Sequence, residues 1–138
     1  MGIHASFFVA RDGNAHQIVS NPKIFDPDCA DYARITSAEL STLWALLQGL
    51  DGATDLTEDF SVVFDEDEGE CVIQRLPAGM VPALAALDSK QLDLIARNWG
   101  EADEIEPQDA PRAMVADLVR LARRALATRQ NVYLFNLV

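Results

Sequence analysis

Two cysteines and two histidines are the residues of this chain best suited to nucleophilic chemistry. Cys29 or Cys71 would attack, activated by His4 or His16 and oriented by a third group. Their surroundings point elsewhere. Cys71 sits in an alternating apolar pattern, and His4 lies opposite the apolar parity of a first strand. Cys29 is flanked by Asp26, Asp28 and Asp31, whose charge raises a thiol pKa and blunts its reactivity. These four residues match no zinc-ligand spacing. No catalytic residue, metal or cofactor is therefore expected, and the balance leans away from an enzyme.

Acidic chemistry is far better represented. Residues 35–74 carry ten carboxylates and no Lys or Arg, and five of the ten crowd into Asp65, Glu66, Asp67, Glu68 and Glu70. Like charges packed into one short segment repel, so no gain in stability calls for them; a cationic partner or solubility does. Calcium is an alternative occupant, since Asp65, Asp67 and Glu70 offer hard oxygen donors. The register does not fit an EF-hand loop, which needs glycine sixth and a bidentate Glu twelfth. Counting from Asp65, Gly69 is fifth and Leu76 twelfth. A second acidic cluster, including Glu101, Asp103 and Glu104, lies in residues 101–111 with two prolines. The partner-binding set expected is thus Asp65, Glu66, Asp67, Glu68, Glu70, Glu101, Asp103 and Glu104.

Cationic chemistry is confined to the other end of the chain. Arg120 and Arg124 stand one helical turn apart, and guanidinium forks match phosphate and carboxylate groups. With Tyr32 they form the alternative expectation, a small-molecule binder or enzyme with a cleft beside the sheet. Arginines in a helix's last turns also complement its dipole, and Asp117 three residues before Arg120 supplies an intrahelical pair. A third role for this face is to meet the acidic hairpin of a second copy in an isologous homodimer.

Composition limits the partners. At 138 residues and 49% hydrophobic content the chain fits one domain spanning 1–138, without need of disulfide or metal. A net charge of -11 disfavours nucleic acid and anionic membrane surfaces, both of which are bound through Lys and Arg. The longest apolar runs, such as residues 81–87, fall far short of a membrane span of about 18 residues. The opening has no basic and apolar leader, and two cysteines 42 positions apart suit a reducing cytoplasm. Met1-Gly2-Ile3-His4-Ala5-Ser6 fits a loose N-myristoylation pattern, but it lacks a second anchoring signal and reads better as the approach to a strand.

The elements that must position these groups follow from periodicity. Ile3, Ala5, Phe7 and Val9 alternate with His4, Ser6 and Phe8, the period-two pattern of a first strand with one strongly buried face. Residues 11–19 fit either a hairpin closed at Asp12-Gly13 or a short helix capped by Asn14. Asp26-Pro27-Asp28 predicts an N-cap, a proline at the first helical position and one or two helical turns toward Arg34. Thr36-Ser37-Ala38-Glu39 is a capping box, and Leu40, Leu43, Trp44 and Leu47 follow at helical spacing, with Gly49 as the stop.

Phe60, Val62 and Phe64 alternate on one side of the acidic segment and Cys71 and Ile73 on the other, which predicts a β-hairpin tipped by the carboxylates. Further helices are predicted over 78–87, over 90–99 ending at Gly100, and along a stripe of Val115, Leu118, Val119, Ala122 and Leu126. Trp44 and Trp99 fall on apolar stripes and read as core, as do Tyr133 and Phe135. Residues 132–138 are apolar on both parities apart from Asn136, as in a strand covered on both faces.

Taken in order, several segments resemble the YfbM-like family of uncharacterised bacterial proteins. They are Met1-Gly2-Ile3, the Leu43-Trp44-Ala45-Leu46-Leu47-Gln48-Gly49 helix end, Ala86-Leu87-Asp88 with Leu92, Glu104-Ile105-Glu106-Pro107, and a finish through Arg123-Arg124 to Val138. The resemblance implies a bacterial cytoplasmic α+β domain of unknown function and brings no functional residue with it. The expectation is one α+β domain: a small mixed sheet, with its first and last strands adjacent and a central hairpin, covered by about four helices. Its expected function is non-enzymatic, an acidic module that binds a basic protein in the manner of an inhibitor or immunity protein. Small-molecule binding and divalent-cation binding at the hairpin tip are the alternatives.

Overall fold

A computed structural model describes residues 3–105 and 110–138 of the chain. Its centre is a five-stranded sheet in the order β2-β1-β5-β4-β3. The strands are β1 (His4–Ala10), β2 (Cys29–Ala33), β3 (Ser61–Glu66), β4 (Cys71–Arg75) and β5 (Asn131–Leu137). Four helices accompany them, α1 (Ser37–Leu47), α2 (Met80–Ala85), α3 (Ser89–Ala102) and α4 (Pro111–Thr128). The chain is an α+β protein, with the first and last strands paired and the central hairpin at one edge, as the sequence predicts. Every ladder is antiparallel, where a mixed sheet is expected.

Alternation along the two central strands creates two cores. Phe7, Val132 and Leu134 pack with the helices, while Phe8, Tyr133 and Phe135 belong to a second cluster on the opposite face. That second face is covered by the segment between β1 and β2, through Ala15, Ile18, Val19 and Phe25. Of the two forms predicted for residues 11–19 the hairpin is not made; a short 3-10 helix, Ala15–Ile18, forms with Asn14 at its N-cap position, though without a side-chain capping bond. No helix follows Asp26 either. The Asp26–Pro27 peptide is cis, and the chain runs on into β2, whose residues pair with β1 from His4↔Ala33 to Phe8↔Cys29. Ala30 and Tyr32 lean on the helical core and Cys29 on the other, so the strand is amphipathic on a small scale.

Thr36 caps α1, accepting from the Ala38 N–H at 3.2 Å and donating its own hydroxyl to Glu39 at 2.7 Å. Gly49 supplies the left-handed stop at φ 74. At the start of α3, Asp88 and Gln91 form a reciprocal capping box. This helix outruns its predicted end at Gly100 by two residues, and Gly100 lies inside it, where a Cβ would meet Pro111 at 3.4 Å, an ordinary van der Waals contact. In α4 the buried stripe runs through Met114, Leu118, Leu121 and Ala125, and the expected core residue Leu126 is 49% exposed. Val62 also leaves the predicted face, because the β3–β4 register shifts between Val62 and Phe64 and the bulge re-aims the strand.

Candidate acidic docking surface

The hairpin presents its carboxylates to solvent. Asp65 and Glu66 lie within β3 rather than in the turn, which comprises Asp67–Gly69. Glu68 and Gly69 both take positive φ, 56 and 90, to reverse the chain. Asp65, Glu66, Glu68 and Glu70 are all exposed, and the side chain of Asp67 lies outside the described ones. Asp65, Glu66, Glu68 and Glu70 take no part in the pairs Arg75–Asp12, Arg112–Asp93, Arg120–Asp117 and Arg124–Asp28, and Arg75, at the far end of β4 from the turn, is turned to Asp12. Charge at this end of the molecule is therefore left to solvent and to whatever meets it.

The second acidic segment behaves differently. Asp103 turns inward, where one carboxylate oxygen accepts from the Trp99 indole N–H at 3.0 Å and the other from the Thr42 hydroxyl at 3.0 Å. Burial raises its pKa above the ordinary carboxylate range, against the lowering effect of those two bonds. Glu101 and Glu104 remain exposed. Residues 106–109, which include part of this loop and of the Glu104-Ile105-Glu106-Pro107 segment, lie outside the described residues, as do Met1 and Gly2 with the myristoylation pattern.

Tyr32, Arg120 and Arg124 are brought together, but around groups of their own chain. The Tyr32 hydroxyl donates to Asp117, and Arg120 pairs with Asp117 at 3.5 Å and donates to the Pro27 carbonyl at 3.3 Å. Arg124 holds Asp28 at 3.1 Å. These contacts fasten α4 to β2 and the loop before it, with Tyr32 on a strand rather than on a covering helix. Arg123 donates to the Ala85 and Leu87 carbonyls at 3.0 and 2.9 Å, satisfying the end of α2.

A cleft of about 590 Å³ opens between α1 and the loop leading to β3, lined by Ser41, Thr42, Asp51, Asp55 and Asp103. Ser41 accepts from the Leu56 N–H, and one oxygen each of Asp51 and Asp55 accepts from Ala53 and Thr57 in local turns. Tyr32, Arg120 and Arg124 are not among its lining residues.

Nucleophile geometry is not assembled. Leu137 stands in register between Cys71 and His4, which places the two strands about 10 Å apart. Burial, with Asp31 and Asp26, pushes the Cys29 thiol up to about 12. Sequence reasoning missed a hydroxyl–imidazole–carboxylate row formed across β1 and β2. Ser6 donates to Asp31 at 2.5 Å, and His4 Nε2 stands 2.9 Å from the same hydroxyl oxygen. Its one signal was the register of β2, which was not legible. The Asp31 oxygen that accepts from Ser6 also stands 3.6 Å from His4 Nε2, so hydroxyl and carboxylate face the same ring nitrogen, unlike a triad, in which the carboxylate orients the base through its other nitrogen. Ser6 is also 3% exposed. Among the described residues no three His, Cys, Asp or Glu side chains converge as a metal site, and no helix is long and apolar enough to cross a membrane.

No known family model, curated protein or solved structure matches this chain.

Proposed function

We propose that this chain is a non-enzymatic docking module whose acidic hairpin engages a basic protein surface, in the manner of a bacterial inhibitor or immunity protein. One observation carries this reading: Asp65, Glu66, Glu68 and Glu70 stand exposed together at the end of β3–β4, with no arginine or lysine partner among the described residues. Uncompensated charge of one sign steers an opposite surface and raises association rates by 10 to 10³-fold at low salt. Glu101 and Glu104 are exposed but apart from the hairpin, Glu104 lying beside Arg34 and Ile35 just past β2, at the sheet edge opposite β3. Asp103 is spent on Trp99 and Thr42.

A ligand-binding role draws less support, since Tyr32, Arg120 and Arg124 serve internal contacts and do not line the cleft. The same internal pairs weigh toward a different protein rather than a second copy as partner. Neither Cys29 nor Cys71 is in a disulfide, in keeping with a reducing cytoplasm. Replacing Asp65, Glu66, Asp67 and Glu68 with Ser or Asn tests the proposal: binding to the basic partner slows while the fold is kept, and an unchanged rate refutes it.

A further inference from the structure

The hairpin's outer strand is open. The sheet ends at β3, which pairs with β4 alone. Among the described residues no β3 N–H or C=O bonds to another element of the backbone. Such an edge is a template for one more strand. Along it Ser61, Val62, Asp65 and Glu66 are exposed, Val62 to 56%.

Charge selects what can lie there. A second copy set edge to edge would oppose carboxylate to carboxylate, which destabilises cross-strand pairing, whereas lysine or arginine opposite the same positions stabilises it. Successive residues of a strand point to opposite faces. Asp65 shares a face with Val72 and Glu66 with Cys71, their partners in β4. A basic pair at adjacent positions of an added strand therefore meets one carboxylate on each face, and an apolar residue further along meets Val62.

We infer that β3 receives an extended, Lys/Arg-containing segment of the partner as a sixth strand, with main-chain bonds supplying affinity and Asp65 and Glu66 supplying selection. This rests on the docking reading above and specifies the form of the partner.

The probe is a synthetic peptide of about seven residues, the length of an ordinary strand, alternating Thr and Val around an adjacent Lys-Arg pair. Two further forms carry N-methyl groups on one or the other alternate set of amides, which removes the donors of one peptide edge. Expected are binding that weakens when Asp65→Asn and Glu66→Gln are combined, protection of β3 amides from hydrogen exchange, and a loss of about tenfold or more in one methylated form only. No binding, equal binding of both methylated forms, or protection of β2 in place of β3 overturns the added strand. If both methylated forms bind with charge dependence intact, the docking reading survives without it; binding indifferent to the two substitutions removes both.

Discussion

Trp99 and Asp103, one helical turn apart, are joined by an indole-to-carboxylate hydrogen bond of 3.0 Å that closes the end of α3. The same carboxylate reaches across to Thr42 on α1, so one acidic residue ties two helices together. Asp103→Ala leaves the Thr42 hydroxyl unpartnered and takes one of the two acceptors of Trp99, the other being the Glu39 carbonyl. A loss of about 1–2 kcal/mol in urea unfolding is expected.

The raised pKa of Asp103 also fixes a sign. A carboxyl whose folded pKa exceeds its unfolded value, ordinarily about 3.9, contributes stability that is present below that value and lost as pH rises through the folded pKa. Asp103→Asn removes this dependence. Unfolding measured at acidic and neutral pH is expected to show the variant gaining on the natural protein as pH rises.

Tyr32 and Tyr133, the two tyrosines of the chain, both donate to carboxylates, Asp117 and Asp12. Burial first, then these bonds, pushes both phenols well above their ordinary range. Their contribution to stability is complete below pH about 10 and is lost as pH climbs through the elevated folded values. Phenolate absorbance is therefore expected to lag behind free tyrosine and to rise together with loss of circular dichroism. Half of the phenolate signal appearing near pH 10 in the folded state would contradict the two buried bonds.

Cys29 is expected to be slow toward iodoacetamide. A thiol raised from 9.0 to about 12 carries roughly 10³-fold less thiolate at neutral pH. Alkylation followed by mass spectrometry checks this, and labelling of Cys29 in the folded protein at the rate of a free thiol would show that burial, with Asp31 and Asp26, does not restrain it.

Glu68 occupies the left-handed region at φ 56 and ψ 40, a conformation that costs a side-chain-bearing residue about 1 kcal/mol and glycine little. Glu68→Gly is expected to raise stability by about 0.5–1 kcal/mol in denaturant unfolding, and to lower the association rate with a basic partner. Greater stability with undiminished association would separate this carboxylate from docking.

Elements with heavy apolar alternation were legible in the sequence. Phe7 and Val9, the capped stripe from Leu40 to Leu47, the arms around the acidic turn and the doubly apolar last strand all carry enough side-chain mass to show their period. β2 does not. Cys-Ala-Asp-Tyr-Ala alternates small with polar, and its strand character comes from pairing with β1, a tertiary cause that propensity does not carry. With β2 hidden, so were the Ser6–Asp31 contact and the placement of Tyr32 beneath α4. Asp103 looks like a free acid when Gly100 is taken as the helix stop; with α3 continuing to Ala102, the four-residue spacing from Trp99 brings the two side chains together. The bulge that turns Val62 outward has no sequence signal of its own. The exposure of the hairpin carboxylates did follow from their composition.

The central claim is that the hairpin's uncompensated charge guides a basic protein to this surface. The most direct measurement is the association rate of a partner captured from source lysate, followed as a function of ionic strength for the natural chain and for the form with Asp65, Glu66, Asp67 and Glu68 replaced. A steep fall with salt is expected for the natural chain, by about 10-fold or more as the screening length shortens from about 30 Å to about 8 Å, and a slow, nearly flat rate for the replaced form. Equal rates and equal slopes for the two proteins would contradict it.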